Sequence, residues 1–302
     1  MPLETNLPAA IGIDIGGTRV KACLLSCSGE LLLSEVHSTD PLWEGSRLLK
    51  LITQIHGRFT ERHQACGIGL GVPAAVQQPA GRVIGKANLP CLDDYPLGEC
   101  VAETLALPCR LDNDANQALR AEHHFGVARG LANVLGLTLG TAVGGALILG
   151  GRLWSGSHGT AGEIGMTYVA GQQGLLPLSC VPMELIASAA AIEKRAGRSC
   201  AQVFRDAAQG DLGANEILQR AFQVLALAIT NVHLLLDLDL VVLGGGMAQA
   251  GVPLKDGITA AFQQICPLEH GSWLRFELSS LGGFAGAMGS GCMILEAEGH
   301  LS

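Results

Sequence analysis

The sequence predicts an α/β protein made of two related halves, and three observations carry that expectation. Residues 10–25 read as an apolar strand that reaches Asp14, turns through Gly16, Gly17 and Thr18, and leaves as a second apolar strand. Residues 135–151 repeat the plan, with Gly140 and Thr141 in the turn and Gly144 opening the returning strand, so each half of the 302 residues is headed by its own hairpin. Elsewhere strand patterns follow helix patterns, as where 66–72 follows 46–59, and that order points to parallel crossovers.

In chain order, Ser28-Gly29-Glu30 is a turn signal, and 31–36 extend the opening hairpin into a three-stranded meander. Leu48, Leu49, Ile52, Ile55 and Phe59 stand at helical spacing and predict a helix over 46–59. A buried strand over 66–72 stops at Pro73, a turn-rich link covers 79–83, and 86–90 form an irregular loop. A helix over 97–105 precedes a short strand at 108–111, and a further helix is expected from Ala115 to Phe125. After the second hairpin and a glycine-rich loop at 155–166, helices are expected over 184–196 and 213–236. A buried strand over 240–247 opens onto Gly244, Gly245 and Gly246 and leads into a helix reaching residue 264; 273–281 give an edge strand. The last helix, 286–297, carries Gly286, Gly289 and Gly291, which permit close packing.

Composition excludes several classes of function. A hydrophobic content of 48% with 15% charged residues suits two ordinary cores and excludes disorder. An aromatic content of 4% leaves no base-stacking platform, and a net charge of −8 opposes a nucleic-acid partner. With no basic leader before an apolar run and no uncharged membrane-length stretch, a cytoplasmic protein with no membrane partner is expected. The ten cysteines form no C-x-x-C pair and read as small buried hydrophobes in a reducing compartment.

Four stretches carry polar chemistry. The Asp14 to Thr18 turn is either a plain hairpin or an anion cradle, in which glycines reach positive φ, backbone N–H groups and Thr18 supply donors, and Asp14 holds Mg²⁺ through water. Asp112, Asn113, Asp114 and Asn116 end a strand and open a helix, where they serve as caps or as ligand groups at the carboxyl end of an α/β sheet. Glu163 is the one carboxylate in the glycine-rich loop, and His158 beside it has no second ligand at metal spacing. The Gly244 to Gly246 turn admits a ligand against bare backbone.

Taken in order, I-G-I-D-I-G-G-T with Lys21, G-L-G-V-P, N-L-P, L-D-N-D-A-N, L-G-T-A-V-G-G-A, G-T-A-G-E-I-G and V-V-L-G-G-G resemble the ROK family of sugar kinases and sugar-responsive repressors, over residues 11–295. The resemblance implies two ribonuclease-H-like domains of the actin-like ATPase superfamily with a cleft for ATP and a hexose, the first domain being 1–117 completed by 286–302 and the second 118–285. It implies ATP and Mg²⁺ as cofactors, a homodimer, and phosphorylation of a hexose or N-acetylhexosamine at the 6-hydroxyl. By the same carry-over Asp114 is the general base, and Asn88, Asn113, Glu163 and Glu184 bind the sugar. Asp14, Gly16, Gly17, Thr18 and Lys21 form the first phosphate loop, Gly140, Thr141 and Gly144 the second, and Gly244, Gly245 and Gly246 flank adenosine.

The chain also departs from the family pattern. Met166 stands where the family has His, and the family's zinc-binding cysteine cluster is replaced by 174–182 with Cys180 as its one cysteine, so no zinc is expected. Ala74 and Ala142 replace family glycines. The alternatives are a catalytically weak sugar-binding or sensing ROK protein, and an actin-like ATPase that uses no sugar. Nine residues ahead of the first strand leave no room for the repressors' helix-turn-helix, so DNA binding is not expected.

Overall fold

A computed structural model describes residues 7–40, 42–61, 63–78, 80–84, 89–93, 95–170 and 180–301. Strands β1 (Ala9–Ile15), β2 (Arg19–Ser26) and β3 (Leu31–Ser38) are followed by helix α1 (Gly45–Thr60), strands β4 (Ile68–Val72), β5 (Ala75–Gln77) and β6 (Arg82–Ile84), helix α2 (Leu97–Leu105), strand β7 (Cys109–Asn113) and helix α3 (Asp114–Phe125). The chain continues through β8 (Val134–Leu139), β9 (Val143–Leu149), β10 (Arg152–Leu153), β11 (Tyr168–Ala170), β12 (Cys180–Pro182), α4 (Glu184–Ala187), α5 (Ala189–Ala196), α6 (Cys200–Ala208) and α7 (Leu212–Leu236). It closes with β13 (Leu240–Gly244), α8 (Val252–Ile265), α9 (Leu268–Gly271), β14 (Arg275–Leu278) and α10 (Ala285–Ala297).

Duplication is written in the strand orders. One sheet runs β3-β2-β1-β4-β7 and the other β10-β9-β8-β13-β14. In each, three antiparallel strands are extended by two parallel ones. The chain divides into two compact units: residues up to Arg129 with Ser155–Ala161 and Leu281–Ser302, and Gly130–Trp154 with Gly162–Ser280. Residue 117, where the sequence reading ended the first domain, lies inside α3, and the first unit keeps that helix whole.

In the first unit α1 buries Leu48, Ile52, Ile55 and Phe59, the residues whose spacing predicted it. Helix α10 is buried from Ala285 to Leu295 and crosses the sheet backbone to backbone. A Cβ added at Gly12 would fall 1.9 Å from the Ala287 carbonyl oxygen, and one at Gly289 would fall 1.7 Å from that of Gln117. Only bare backbone fits there, which is why this helix carries so much glycine. The expected link at 79–83 is in part a strand, because β6 pairs with β5 as a short hairpin.

In the second unit the helix expected over 184–196 is two helices. Ser188 takes an extended backbone (φ −73°, ψ 159°) and its hydroxyl accepts the Ala191 N–H at 3.2 Å, ending α4 and capping α5. Helix α6, which the sequence reading missed, starts at a Ser199 cap and buries Cys200 and Val203. The helix expected after the triple glycine begins only at Val252, after a 3-10 turn at Gly246–Ala250. Helix α7 is long and apolar enough, by length and composition, to cross a membrane. Here it packs against α8, α6, α4 and α5, with Leu218, Leu225 and Ile229 in the core. All ten cysteines are free thiols. Burial pushes the Cys23 and Cys109 thiols up to about 12.

Candidate functional site

In the first unit the functional candidates gather at one end of the parallel strands. Asp14 of β1 is in register with Gly71 of β4, and Gly71 with Asp112 of β7. Two interstrand steps, about 10 Å, therefore separate Asp14 from Asp112. Across the hairpin Asp14 faces Lys21. Burial pushes the Asp14 carboxyl above its usual range, and the Lys21 charge opposes that rise. The turn between them is closed by the Gly16 N–H on the Arg19 carbonyl at 2.9 Å. It is anchored from β3's end by Thr39, whose hydroxyl donates to the Gly16 carbonyl at 2.9 Å and whose N–H donates to the Thr18 carbonyl at 3.0 Å. Neither Gly16 nor Gly17 has a positive φ, contrary to the sequence reading. Glycine serves openness instead: a Cβ at Gly17 would meet no atom within 4 Å, and Thr18 beside it is exposed.

Asn113 and Asp114 open α3. The Asn113 Oδ1 accepts the N–H groups of Ala115 at 2.9 Å and Asn116 at 3.2 Å, and its Nδ2 donates to the Ala74 carbonyl at 3.2 Å. These three backbone groups fix which way the amide points. With both lone pairs of Oδ1 occupied, Asn113 can offer a ligand only its second Nδ2 hydrogen. Asp114 is the first helical residue, and its Oδ1 accepts the Ala115 N–H at 2.8 Å. The stretch is thus both cap and candidate site, which were alternatives in the sequence.

In the second unit the Gly140 turn is likewise closed by a backbone bond and anchored from outside, but it is one residue tighter. The Gly140 N–H donates to the Ala142 carbonyl at 3.0 Å, the Gly140 carbonyl accepts the Ala189 N–H at 2.8 Å, and Thr141 is exposed. Gly144 is the second residue of the returning strand β9 and pairs with Thr138. Glu184, at the start of α4, accepts the Val143 N–H at 3.3 Å. Glu163 is held beside the same strand by close backbone approach on both sides. A Cβ at Gly162 (φ +92°) would fall 2.7 Å from the Gly145 carbonyl oxygen, and one at Gly165 would fall 2.1 Å from that of Val143. Although Glu163 is open to solvent over much of its surface, local loss of water and then the like charge of Glu184 push its carboxyl above its usual range.

Gly244 ends β13, and Gly245 takes φ +82° with ψ −174°. A Cβ at Gly245 would fall 2.5 Å from the Leu139 carbonyl oxygen, so the turn sits directly on the end of β8, one residue before Gly140. This is the one turn of the three that only glycine can make. At Gly246 a Cβ would meet nothing within 4 Å.

The second unit therefore brings together Gly140, Thr141, Gly144, Glu163, Glu184 and the Gly244 to Gly246 turn, and the first brings together Asp14, Gly16 to Thr18, Lys21, Asn113 and Asp114. Asn88 lies outside the described residues, as does most of 174–182 where the family's zinc cluster would stand. Among the described residues no group of three or more His, Cys, Asp or Glu side chains is placed to hold a metal ion. Sequence reasoning gave no role to Arg120, and took Asp112 only as one of four capping or ligand residues. The available signal was spacing: Asp112, Asn116 and Arg120 stand four apart, one helical face running back into the strand.

The donor set suits nucleotide phosphates. Gly17, Gly140 and Gly246 leave open space without side-chain bulk, and the exposed hydroxyls of Thr18 and Thr141 supply uncharged donors. Asp14 is a hard oxygen donor whose buried carboxyl a divalent cation would stabilise as the anion, so it fits Mg²⁺.

Comparison with known proteins agrees with this chemistry. The chain is 28% identical to a glucokinase from Halalkalibacterium halodurans, covering 96% of each. It is 32% identical to an N-acetylmannosamine kinase from Yersinia pseudotuberculosis, over 80% of this chain and 83% of that one. A ROK family glucokinase from Streptomyces griseus, solved in complex with glucose and AMPPNP, superposes with a TM-score of 0.80 at 26% identity, covering 94% of this chain and 98% of that one. The fold is that of the actin-like ATPase superfamily, mixed α/β with two five-stranded sheets. A family model described as ROK family matches residues 10–297, and the chain belongs to that family.

Proposed function

We propose that this chain, a ROK family sugar kinase that uses ATP, transfers the γ-phosphoryl group to the 6-hydroxyl of a hexose or N-acetylhexosamine with Asp114 as general base. The observation that carries the reading is the fixed start of α3, where Asn113 and Asp114 are locked by backbone bonds at the carboxyl end of β7. A sugar hydroxyl is a weak nucleophile near neutral pH. In this reading the Asp114 carboxylate takes its proton as the oxygen bonds to phosphorus and the bridging P–O bond breaks, its electron pair leaving with ADP. General-base help of this kind contributes about 10²–10⁴-fold. Positioning and charge neutralisation supply the rest.

Asn113 donates to a sugar oxygen, and Glu163 and Glu184 accept from sugar hydroxyls; Asn88 is a fourth sugar ligand. Gly16, Gly17, Thr18 and Lys21 hold phosphate oxygens, as do Gly140, Thr141 and Gly144, while Gly244, Gly245 and Gly246 flank adenosine. Mg²⁺ arriving with ATP supplies charge neutralisation, and Asp14 is the residue that would hold it through water. The same reading takes the protein as a cytoplasmic homodimer with no nucleic-acid or membrane partner and no structural zinc. The named relatives act on different sugars, and the exposed Met166 makes this chain's selectivity its own question.

ADP release with Mg²⁺ and ATP across glucose, mannose, fructose, allose, N-acetylglucosamine and N-acetylmannosamine tests the reading. Turnover should depend on sugar and favour one of them. An ATPase rate equal with and without sugar would replace the kinase by a sugar-independent ATPase, and thermal stabilisation by sugar without turnover would leave a binding protein.

A further inference from the structure

Behind the α3 start lies a charged network that no assigned role explains. Asp112 is 3% exposed. Its Oδ1 accepts the Asn113 N–H at 2.8 Å and the Asn116 Nδ2 at 3.1 Å, so one carboxylate oxygen grips the backbone just before Asp114 and the side chain two residues after it. The Asn116 Oδ1 is buried without a hydrogen-bond partner among the described residues, which leaves the Asp112 bond to orient that amide. The other Asp112 oxygen stands 3.6 Å from Nη2 of Arg120, whose side chain is 14% exposed. Arg120 is held in turn by the Gln117 Oε1, which accepts its Nε at 3.2 Å, and by the Glu296 carboxylate on α10, which His124 also contacts.

We propose that Arg120 is a positioning residue for phosphoryl transfer, acting through Asp112 on Asn113 and Asp114. The inference rests on the reading of Asp114 as the base. Its physical content is charge compensation. An unpaired carboxylate buried this deeply is strongly disfavoured. Without the guanidinium the buried Asp112 carboxylate loses its counter-charge and is drawn towards water, which loosens its hold on the Asn113 N–H and Asn116. The catalytic carboxylate then loses its placement while the phosphate turns keep theirs. Glu296 matters because it orients Arg120 from the far side, on a helix fixed to the sheet by its glycines.

The test uses the full chain and its best sugar, comparing wild type, Arg120→Leu, Arg120→Lys, Glu296→Gln, Asp114→Ala and the double variant Arg120→Leu/Asp114→Ala. Misplacing a reacting group by about 1 Å lowers rate on the order of 10²-fold. Arg120→Leu should therefore lose about 10²-fold in kcat with little change in the KM for ATP. Arg120→Lys should recover part of the loss, and Glu296→Gln should show a smaller fall. In the Asp114→Ala background the same Arg120 substitution should remove little more, since the group it positions is gone. Hydrogen exchange should rise at the Ala115 and Asn116 amides and stay unchanged in β1 and β2.

A folded Arg120→Leu with wild-type kcat, beside an inactive Asp114→Ala, would overturn the inference alone. So would an Arg120 effect of undiminished size in the Asp114→Ala background, which marks a general loss of integrity. Should Arg120→Leu fail to fold, Glu296→Gln decides: a wild-type kcat there counts against the network. A wild-type chain that turns over no sugar would remove the kinase reading and the catalytic inference with it.

Discussion

The Glu184 carboxylate accepts the Val143 N–H at 3.3 Å, joining the first turn of α4 to the strand that leaves the Gly140 turn. The Ala189 N–H on the Gly140 carbonyl, at 2.8 Å, clamps the turn's other end. A proposed sugar ligand therefore also supports a proposed phosphate turn. Removing a charged partner of a hydrogen bond costs about 1.5–3 kcal/mol. Glu184→Ala should accordingly lower kcat/KM by roughly 10- to 150-fold, seen in both kcat and the sugar KM. Glu184→Gln keeps an oxygen for the Val143 N–H, so its loss should fall mainly on sugar KM. Steady-state kinetics with each substrate varied separates the two.

Asn113 is cap and candidate ligand at once, and two substitutions divide those roles. Asn113→Ala removes the cap, at about 1 kcal/mol, and should lower Tm by roughly 2–4 °C. Asn113→Asp keeps the acceptor for Ala115 and Asn116 but sets a second oxygen against the Ala74 carbonyl and has no hydrogen to donate. It should fold and bind sugar more weakly, as calorimetry of sugar binding beside thermal melting would record.

Adjacent glycines in the 244–246 turn should respond differently to alanine. At Gly245 the backbone lies in a region that glycine alone occupies readily, and the Leu139 backbone blocks a Cβ. Gly245→Ala should destabilise by about 1–3 kcal/mol. Gly246→Ala meets no atom of the protein, so Tm should hold while the KM for ATP rises, because the methyl enters space assigned to the nucleotide. Melting curves and ATP kinetics on the pair check this.

Glu163 should make sugar affinity depend on pH in the acid range. Its folded-state carboxyl titrates above the 4.5 of an ordinary Glu, so its contribution to folding stability is present below that value and lost as pH rises through the raised one. Sugar binding runs the other way, since the charged carboxylate accepts hydroxyl hydrogens more strongly than the neutral acid. Affinity should climb with pH through the window just above 4.5 and then level off, and Glu163→Gln should be weak and flat there. Sugar calorimetry at several pH values gives both curves.

Much of this architecture is legible in the sequence because local and tertiary preferences agree. The Asp14 to Thr18 hairpin is bounded by apolar strands on both sides, α1 by regular apolar spacing, and α3 by a strand that ends in capping residues. Where the two levels part, the sequence misleads. Residues 189–191 are all Ala and favour an unbroken helix, yet the Ala189 N–H is taken by the Gly140 carbonyl and Ser188 turns out to cap. The glycines at 16 and 17 suggest positive φ, whereas Thr39 fixes a turn that needs none. Arg120 looks like an exposed helix cation until Glu296, 176 residues further on, is brought to it. A partner that distant leaves no local signal.

The most direct test of the central claim is the kcat of Asp114→Ala and Asp114→Asn with the preferred sugar, beside sugar affinity and Tm. The account predicts that both variants fold, bind sugar to a similar extent, and lose about 10²–10⁴-fold in kcat. A wild-type kcat in either folded variant would contradict Asp114 as the base and move the proton to another group.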